Sequence, residues 1–275
     1  MSQSMNLLYS VSSRYLGLFI CNLKSVLLHG GYPHYDIYIL HSFFDEGMMA
    51  ALRQDFPNAV TFHFVRVDDK MAENFPVDSR CSKETYYRFL APFLLPDGLD
   101  RILYLDADAI VINPLRELYE TDFEGNAIVG CTHASDFVTK VNQARQQSGK
   151  VVLHLNPGVL LMNLSYMREH IRLTDVLNSA HKQKTNLLSS DRFVLTSPYG
   201  NKIKLVDTMQ FNLTEQVLHS YNAEHKHHPI DLEWIREHGV ILHYCGFPKP
   251  GEKHFTGALA PFYEELMACA MSKSS

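Results

Sequence analysis

Apolar residues in this chain come in short runs separated by polar turns, and their spacing changes from run to run. Residues 7–11, 36–41 and 60–67 read as strands. The third alternates Val60, Phe62 and Phe64 with Thr61 and His63, the period of a half-buried strand. Residues 15–29 place Leu16, Phe19, Ile20, Leu23, Val26 and Leu27 at helical spacing and stop at Gly30-Gly31. Residues 45–56 form a second helix, with Asp45 as its N-cap and Pro57 beyond its end. Residues 82–90 are helical, rich in aromatics, and end near Pro92. The run RILYL at 101–105 is nearly all apolar, as a strand buried on both faces should be. Residues 127–131, 159–162, 203–206 and 240–244 add strands, and 175–184 is a helix with Thr174 as N-cap. This alternation predicts an α/β fold with an open, mixed, mostly parallel sheet flanked by helices. No repeat, linker or composition shift divides the chain, so one domain over 1–275 is expected.

Composition narrows the function classes. The chain has 275 residues, 46% hydrophobic and 20% charged, which excludes a disordered protein. A formal net charge of −5 gives nucleic acid no electrostatic footing. Five widely spaced cysteines without a C-x-x-C pair read as reduced, mostly buried thiols in a cytoplasmic protein. The apolar runs fall far short of the ~18 residues of a membrane span. The tail past Lys249 carries little positive charge, so membrane association is at most peripheral.

Candidate chemistry gathers where strands end. In RILYLDADAIVINP, Asp106 and Asp108 follow a buried strand directly. Two carboxylates so close repel unless a cation offsets them, and a divalent ion with oxygen ligands does so. A solvated turn is the plainer alternative. Far along the chain, VILHYCGFPKPG puts His243 after a strand, with Gly246, Pro248, Lys249 and Pro250 in the turn that follows. A glycine-containing turn with a lysine suits phosphate, and His243 offers a third metal ligand.

Four segments in order, TYYRF (85–89), LYLDAD (103–108), NPGVLLMNL (156–164) and HYCGFPKP (243–250), resemble glycosyltransferase family 8, the retaining nucleotide-sugar transferases. The resemblance implies a GT-A, Rossmann-like fold, a Mn²⁺ (or Mg²⁺) ion and a UDP-sugar donor. It also implies a nucleotide-binding half over 5–130, a donor-sugar and acceptor half over 131–250, and a tail over 251–275. Asp106, Asp108 and His243 match the metal ligands. Tyr15 matches the aromatic that stacks on uracil, and Ser10, Asp106, Ala107, Gly246 and Lys249 match nucleotide-side positions. Arg88, Asn156 and Asp191 match residues on the donor-sugar side.

The reaction implied moves glucose or galactose from UDP to a glycan or lipid-linked saccharide. The pattern departs from the family at residues 10–15, which lack acidic and amide side chains. It departs again at Ser189-Ser190-Asp191, where relatives carry D-Q-D. An impaired binding protein on a transferase fold is therefore an alternative. A haloacid-dehalogenase-type phosphatase is a weaker one, because Ile110 stands where its motif has Thr or Val. Arg88 could instead pair with Glu84 one helical turn back, Tyr15 could be a core aromatic, and Asn156 a turn residue. Residues 135–150 are a candidate lid.

Overall fold

A computed structural model of the chain describes residues 4–56, 58–73, 75, 77, 82–132, 155–184, 199, 202–246 and 248–272. Among these residues there are nine strands in chain order: β1 Ser4–Ser10, β2 His34–His41, β3 Val60–Arg66, β4 Arg101–Leu105, β5 Ala109–Val111, β6 Ile128–Thr132, β7 Leu155–Asn163, β8 Ile203–Leu205 and β9 Ile241–His243. Seven make one sheet in the order β3-β2-β1-β4-β7-β6-β8, while β5 and β9 pair antiparallel in a small second sheet. Within the large sheet only the β7 pairings are antiparallel. The expected mixed, mostly parallel sheet is what forms.

Strand alternation sorts the core into two layers. Met5, Leu7 and Tyr9 of β1 face Phe19, Leu23 and Val26 of helix Leu16–His29 in one layer. Leu8, Leu40 and Tyr104 pack against Tyr86, Tyr87 and Phe89 in the other. Helix Glu46–Asp55 starts where the sequence predicts, with the Asp45 carboxylate accepting from the Met48 amide. Gly30 and Gly31 end the first helix; Gly31 holds φ +79° and a Cβ on Gly30 would collide with Tyr35.

Other details differ from expectation. Residues 82–90 form a 3₁₀ helix, Lys83–Leu90, that passes into a short α-turn Ala91–Leu94 with Pro92 inside its start, where proline fits. Helix Leu173–Lys184 begins before Thr174, and the Asp175 carboxylate accepts from the Arg172 amide instead. The thiols are less buried than expected. Cys131 is buried, Cys21 half-buried, and Cys245 and Cys269 exposed, because the last two lie in the turn after β9 and on the outer side of the last helix. Cys81 lies outside the described residues. No helix among those described is long and apolar enough to cross a membrane.

His41 at the end of β2 makes the fold acid-sensitive. It is 1% exposed, and its Nδ1 accepts from the Phe44 amide at 3.1 Å, so its proton sits on Nε2, which has no partner among the described residues. Burial and then the Arg66 charge push its pKa below the ordinary value, keeping the ring neutral. The unfolded chain takes up this proton near pH ~6.5 and the folded chain does not. Its contribution to stability is therefore complete above that pH and lost as the pH falls through the lowered native pKa. His41→Asn keeps an acceptor for Phe44 and should flatten the decline of Tm between about pH 7 and 5. An unchanged decline would contradict this assignment.

Candidate active site

The site is built where β4 stops. After Leu105 the chain turns through Asp106, Ala107 and Asp108, and the Ala109 amide donates back to the Asp106 carbonyl at 3.1 Å. A buried polar side chain from the first helix clamps that turn. The Asn22 amide donates to the Asp106 carbonyl at 3.2 Å and to the Ala109 carbonyl at 2.8 Å, and its own carbonyl accepts from Tyr9 Oη at 2.6 Å. Three helical positions on, Ser25 Oγ accepts from the Val111 amide at 2.9 Å and so pins β5 to the same helix. Asn22→Leu would leave these groups unpaired in a dry interior and should cost about 3 kcal/mol of stability, read from urea unfolding. A loss under ~0.5 kcal/mol would refute the clamp.

A bulge in β7 supplies the next wall. Pairing with β6 shifts between Gly130 and Cys131, and Asn156, Pro157 and Gly158 fall at the shift. The Gly158 carbonyl accepts from the Asp106 amide at 2.8 Å, and Asn156 Oδ1 accepts from the Gly158 amide at 3.0 Å. Arg88, 2% exposed, donates to the Pro157 carbonyl at 2.6 Å and to the Thr85 carbonyl at 2.7 Å. It lies 3.1 Å from Asp106 Oδ1 and 4.4 Å over the Tyr104 ring, while Glu84 accepts from Ser42 at 2.9 Å. Arg88 thus works against Asp106 rather than as a surface partner of Glu84. Tyr104 also donates to Asp106 Oδ1.

Strand β9 delivers the third candidate ligand. Ala109 and His243 face each other across the small sheet, which puts the imidazole beside the carboxylates. His243 Nε2 lies 3.2 Å from Asp108 Oδ1 and 3.7 Å from Asp106 Oδ2, and one ligand atom from each residue falls within 4.8 Å of the others. The β7 backbone closes tightly on this group: a Cβ on Gly158 would lie 2.1 Å from His243 Cε1 and 2.9 Å from Asp106 Oδ2, so only glycine fits. Two carboxylates and one imidazole suit a hard or borderline divalent cation.

Side-chain cations also face the acids. Lys249, 7% exposed, donates its ammonium to Asp108 Oδ2 and, at 3.0 Å, to the Tyr244 carbonyl. Burial opposes charge on Asp108, yet His243 and Lys249 hold its carboxyl well below the ordinary range. Burial likewise disfavours the His243 imidazolium, while Cys245 and Asp108 favour it and raise its pKa. The Lys249 ammonium sits 5.8 Å from the centre of the half-buried Tyr15 ring, which places Tyr15 at the rim of the cluster. Ser10 ends β1 and donates its hydroxyl to the Glu84 carbonyl. Gly246, with φ +100°, makes the turn that brings Lys249 back. Asp191, Ser189, Ser190 and residues 135–150 lie outside the described residues.

Sequence reasoning found the three ligand candidates, Arg88 and Lys249. It missed Asn22 and Asn212, whose carbonyl meets His243 Nδ1 at 2.9 Å. Asn22 carried a signal: it sits on the apolar face of its helix between Phe19 and Val26.

Comparisons with known proteins bear on the family and the fold. The chain is 25% identical over 256 residues to the lipopolysaccharide 1,3-galactosyltransferase of Salmonella typhimurium, covering 89% of this chain and 72% of the relative. It is 22% identical over 255 residues to a lipopolysaccharide 1,2-glucosyltransferase of Escherichia coli K12, covering 92% and 74%. Its fold matches a crystal structure of galactosyltransferase LgtC in complex with donor and acceptor sugar analogs, with a TM-score of 0.76, 23% identity and 96% of each chain covered. That likeness makes the sheet and its flanking helices a GT-A fold. The model of glycosyl transferase family 8 matches residues 6–253, a span that includes Asp106, Asp108 and His243, and the chain belongs to that family.

Proposed function

We propose that this chain is a metal-dependent, retaining glycosyltransferase that moves glucose or galactose from a UDP-sugar to a hydroxyl of a glycan or lipid-linked saccharide. The observation that carries this reading is the Asp106–Asp108–His243 cluster, closed on one side by Gly158 and set at strand ends of a GT-A fold. Family membership argues against the phosphatase alternative. The galactosyl- and glucosyltransferase relatives support the choice of hexose and the saccharide acceptor.

Asp106, Asp108 and His243 would hold Mn²⁺ or Mg²⁺, which supplies positive charge to the departing diphosphate. The chain's own groups do the rest. Tyr15 offers a ring face to uracil at the rim, with Ser10, Ala107 and Gly246 lining the nucleotide side. Arg88 fixes Asp106, while Asn156 shapes the bulge beside the donor sugar. Asp191 would orient that sugar. Lys249, buried against Asp108, carries an ammonium close enough to the cluster to serve the same diphosphate. Lys249→Ala should therefore weaken UDP by about tenfold or more and leave uridine, which lacks phosphates, nearly unchanged. Equal losses for both ligands would remove the diphosphate role.

The test of the reaction is UDP release from UDP-glucose and UDP-galactose with Mn²⁺ and a panel of saccharide acceptors, with the product's anomer read by NMR. Metal-dependent UDP release with an α-linked product supports the reading. Donor binding without release across the panel would favour the impaired binding protein instead, for which Ser189-Ser190 is the motive.

A further inference from the structure

The cluster has a partner behind it that none of the four motifs contains. Asn212 is fully buried, and its side chain faces the metal-remote nitrogen of His243. Its backbone is tied to the strand that bears the histidine. The Asn212 amide donates to the Thr208 carbonyl, the Leu213 amide to the Ile241 carbonyl at 3.0 Å, and the His243 amide to the Leu213 carbonyl at 2.8 Å. The backbone therefore holds the two residues side by side.

Asn212 also has a cost. Its Nδ2 is buried and has no hydrogen-bond partner among the described residues. An unpaired buried amide is unfavourable, and an apolar side chain of similar shape would avoid it. What the carboxamide supplies in return is its carbonyl, 2.9 Å from His243 Nδ1. A carbonyl there holds a proton on Nδ1, so a cation between Asp106 and Asp108 would take the place of the Nε2 proton. The reverse amide orientation would donate to Nδ1 and put the proton on Nε2. That would suit a hydrogen bond to Asp108 but closes the nitrogen to a cation.

We propose that Asn212 is a positioning residue of the cation site: its carbonyl fixes the Nδ1–H form of His243 and aims Nε2 at the ion. This rests on reading Asp106, Asp108 and His243 as that site. A ligating histidine is commonly held through its second nitrogen in this way, and losing such a partner weakens metal binding about 10–100-fold.

The experiment titrates Mn²⁺ into nucleotide-free protein, with free ion read by EPR, for wild type, Asn212→Leu and Asn212→Asp, alongside Tm. Asn212→Leu should weaken Mn²⁺ by about 10–100-fold, and Asn212→Asp, which keeps an acceptor of the same shape, should restore affinity to within about threefold of wild type. Equal affinity in wild type and Asn212→Leu overturns the inference while leaving the cation site intact. No Mn²⁺ binding by wild type overturns the proposed function and the inference together. If Asn212→Leu does not fold, long-range ¹H–¹⁵N spectra of Mg²⁺-loaded wild type decide. A slowly exchanging Nδ1–H on His243 supports the proposal, and a proton on Nε2 overturns it.

Discussion

Replacing Asp108 by Asn will weaken Mn²⁺-linked UDP binding at least about 100-fold, more than the loss of a supporting partner costs. The reason is the number of charges that converge on this one carboxylate. His243 Nε2 lies 3.2 Å from one oxygen, and the Lys249 ammonium is bonded to the other. The carboxyl is held well below its ordinary pKa although burial works against it. Asparagine keeps the shape and removes the charge, so an incoming dication meets one carboxylate instead of two. The same change strands the buried Lys249 ammonium without its counter-ion, and breaking such a pair costs about 3–5 kcal/mol. Two readouts separate the effects. Tm reports the stranded lysine, and UDP titration of the still-folded protein at low temperature reports the lost ligand. Wild-type Mn²⁺-linked affinity in folded Asp108→Asn would exclude Asp108 from the site.

Gly158→Ala should be nearly as severe through geometry alone. The new methyl would lie 2.1 Å from His243 Cε1, 2.6 Å from Nδ1 and 2.9 Å from Asp106 Oδ2, where nonbonded carbons prefer about 3.5–4 Å. None of these neighbours is free to retreat. His243 is held by β9 and Asn212, Asp106 by Arg88 and Tyr104, and the Gly158 carbonyl itself receives the Asp106 amide. Forcing a methyl into packed surroundings costs about 1–3 kcal/mol. The displaced imidazole should lower Mn²⁺-linked UDP affinity by about 100-fold. Gly17→Ala is the control, since a Cβ there meets nothing within 4 Å. Unchanged metal-linked binding in Gly158→Ala would mean that this wall does not border the ion.

How much of this was readable beforehand follows from where each residue's information lies. The sheet was legible because β1, β2, β3 and β4 are short apolar or alternating runs bounded by polar residues. The reversal of β7 was not, since direction depends on which neighbour a strand joins, and β7 joins β4 and β6 through long connections. Strand β5 was hidden inside the apolar run after Asp108, and only its pairing with β9 makes it a strand. Asp106 and Asp108 stood out because charge directly after a buried strand is costly without a partner. His243 and Lys249 stood out by crowding into one Gly- and Pro-rich turn. Asn212 gave no signal, for its task is defined by a histidine 31 residues away and by a register that only the folded backbone sets. Exposure misled for the cysteines, because a thiol in a turn follows the turn rather than its own hydrophobicity.

The measurement that tests the central claim most directly is calorimetric titration of UDP into the wild-type protein with Mn²⁺ and, in parallel, with a chelator. The account predicts binding at least about tenfold tighter with Mn²⁺, a gain of about 1.4 kcal/mol or more. Equal UDP affinity in the two titrations would contradict it.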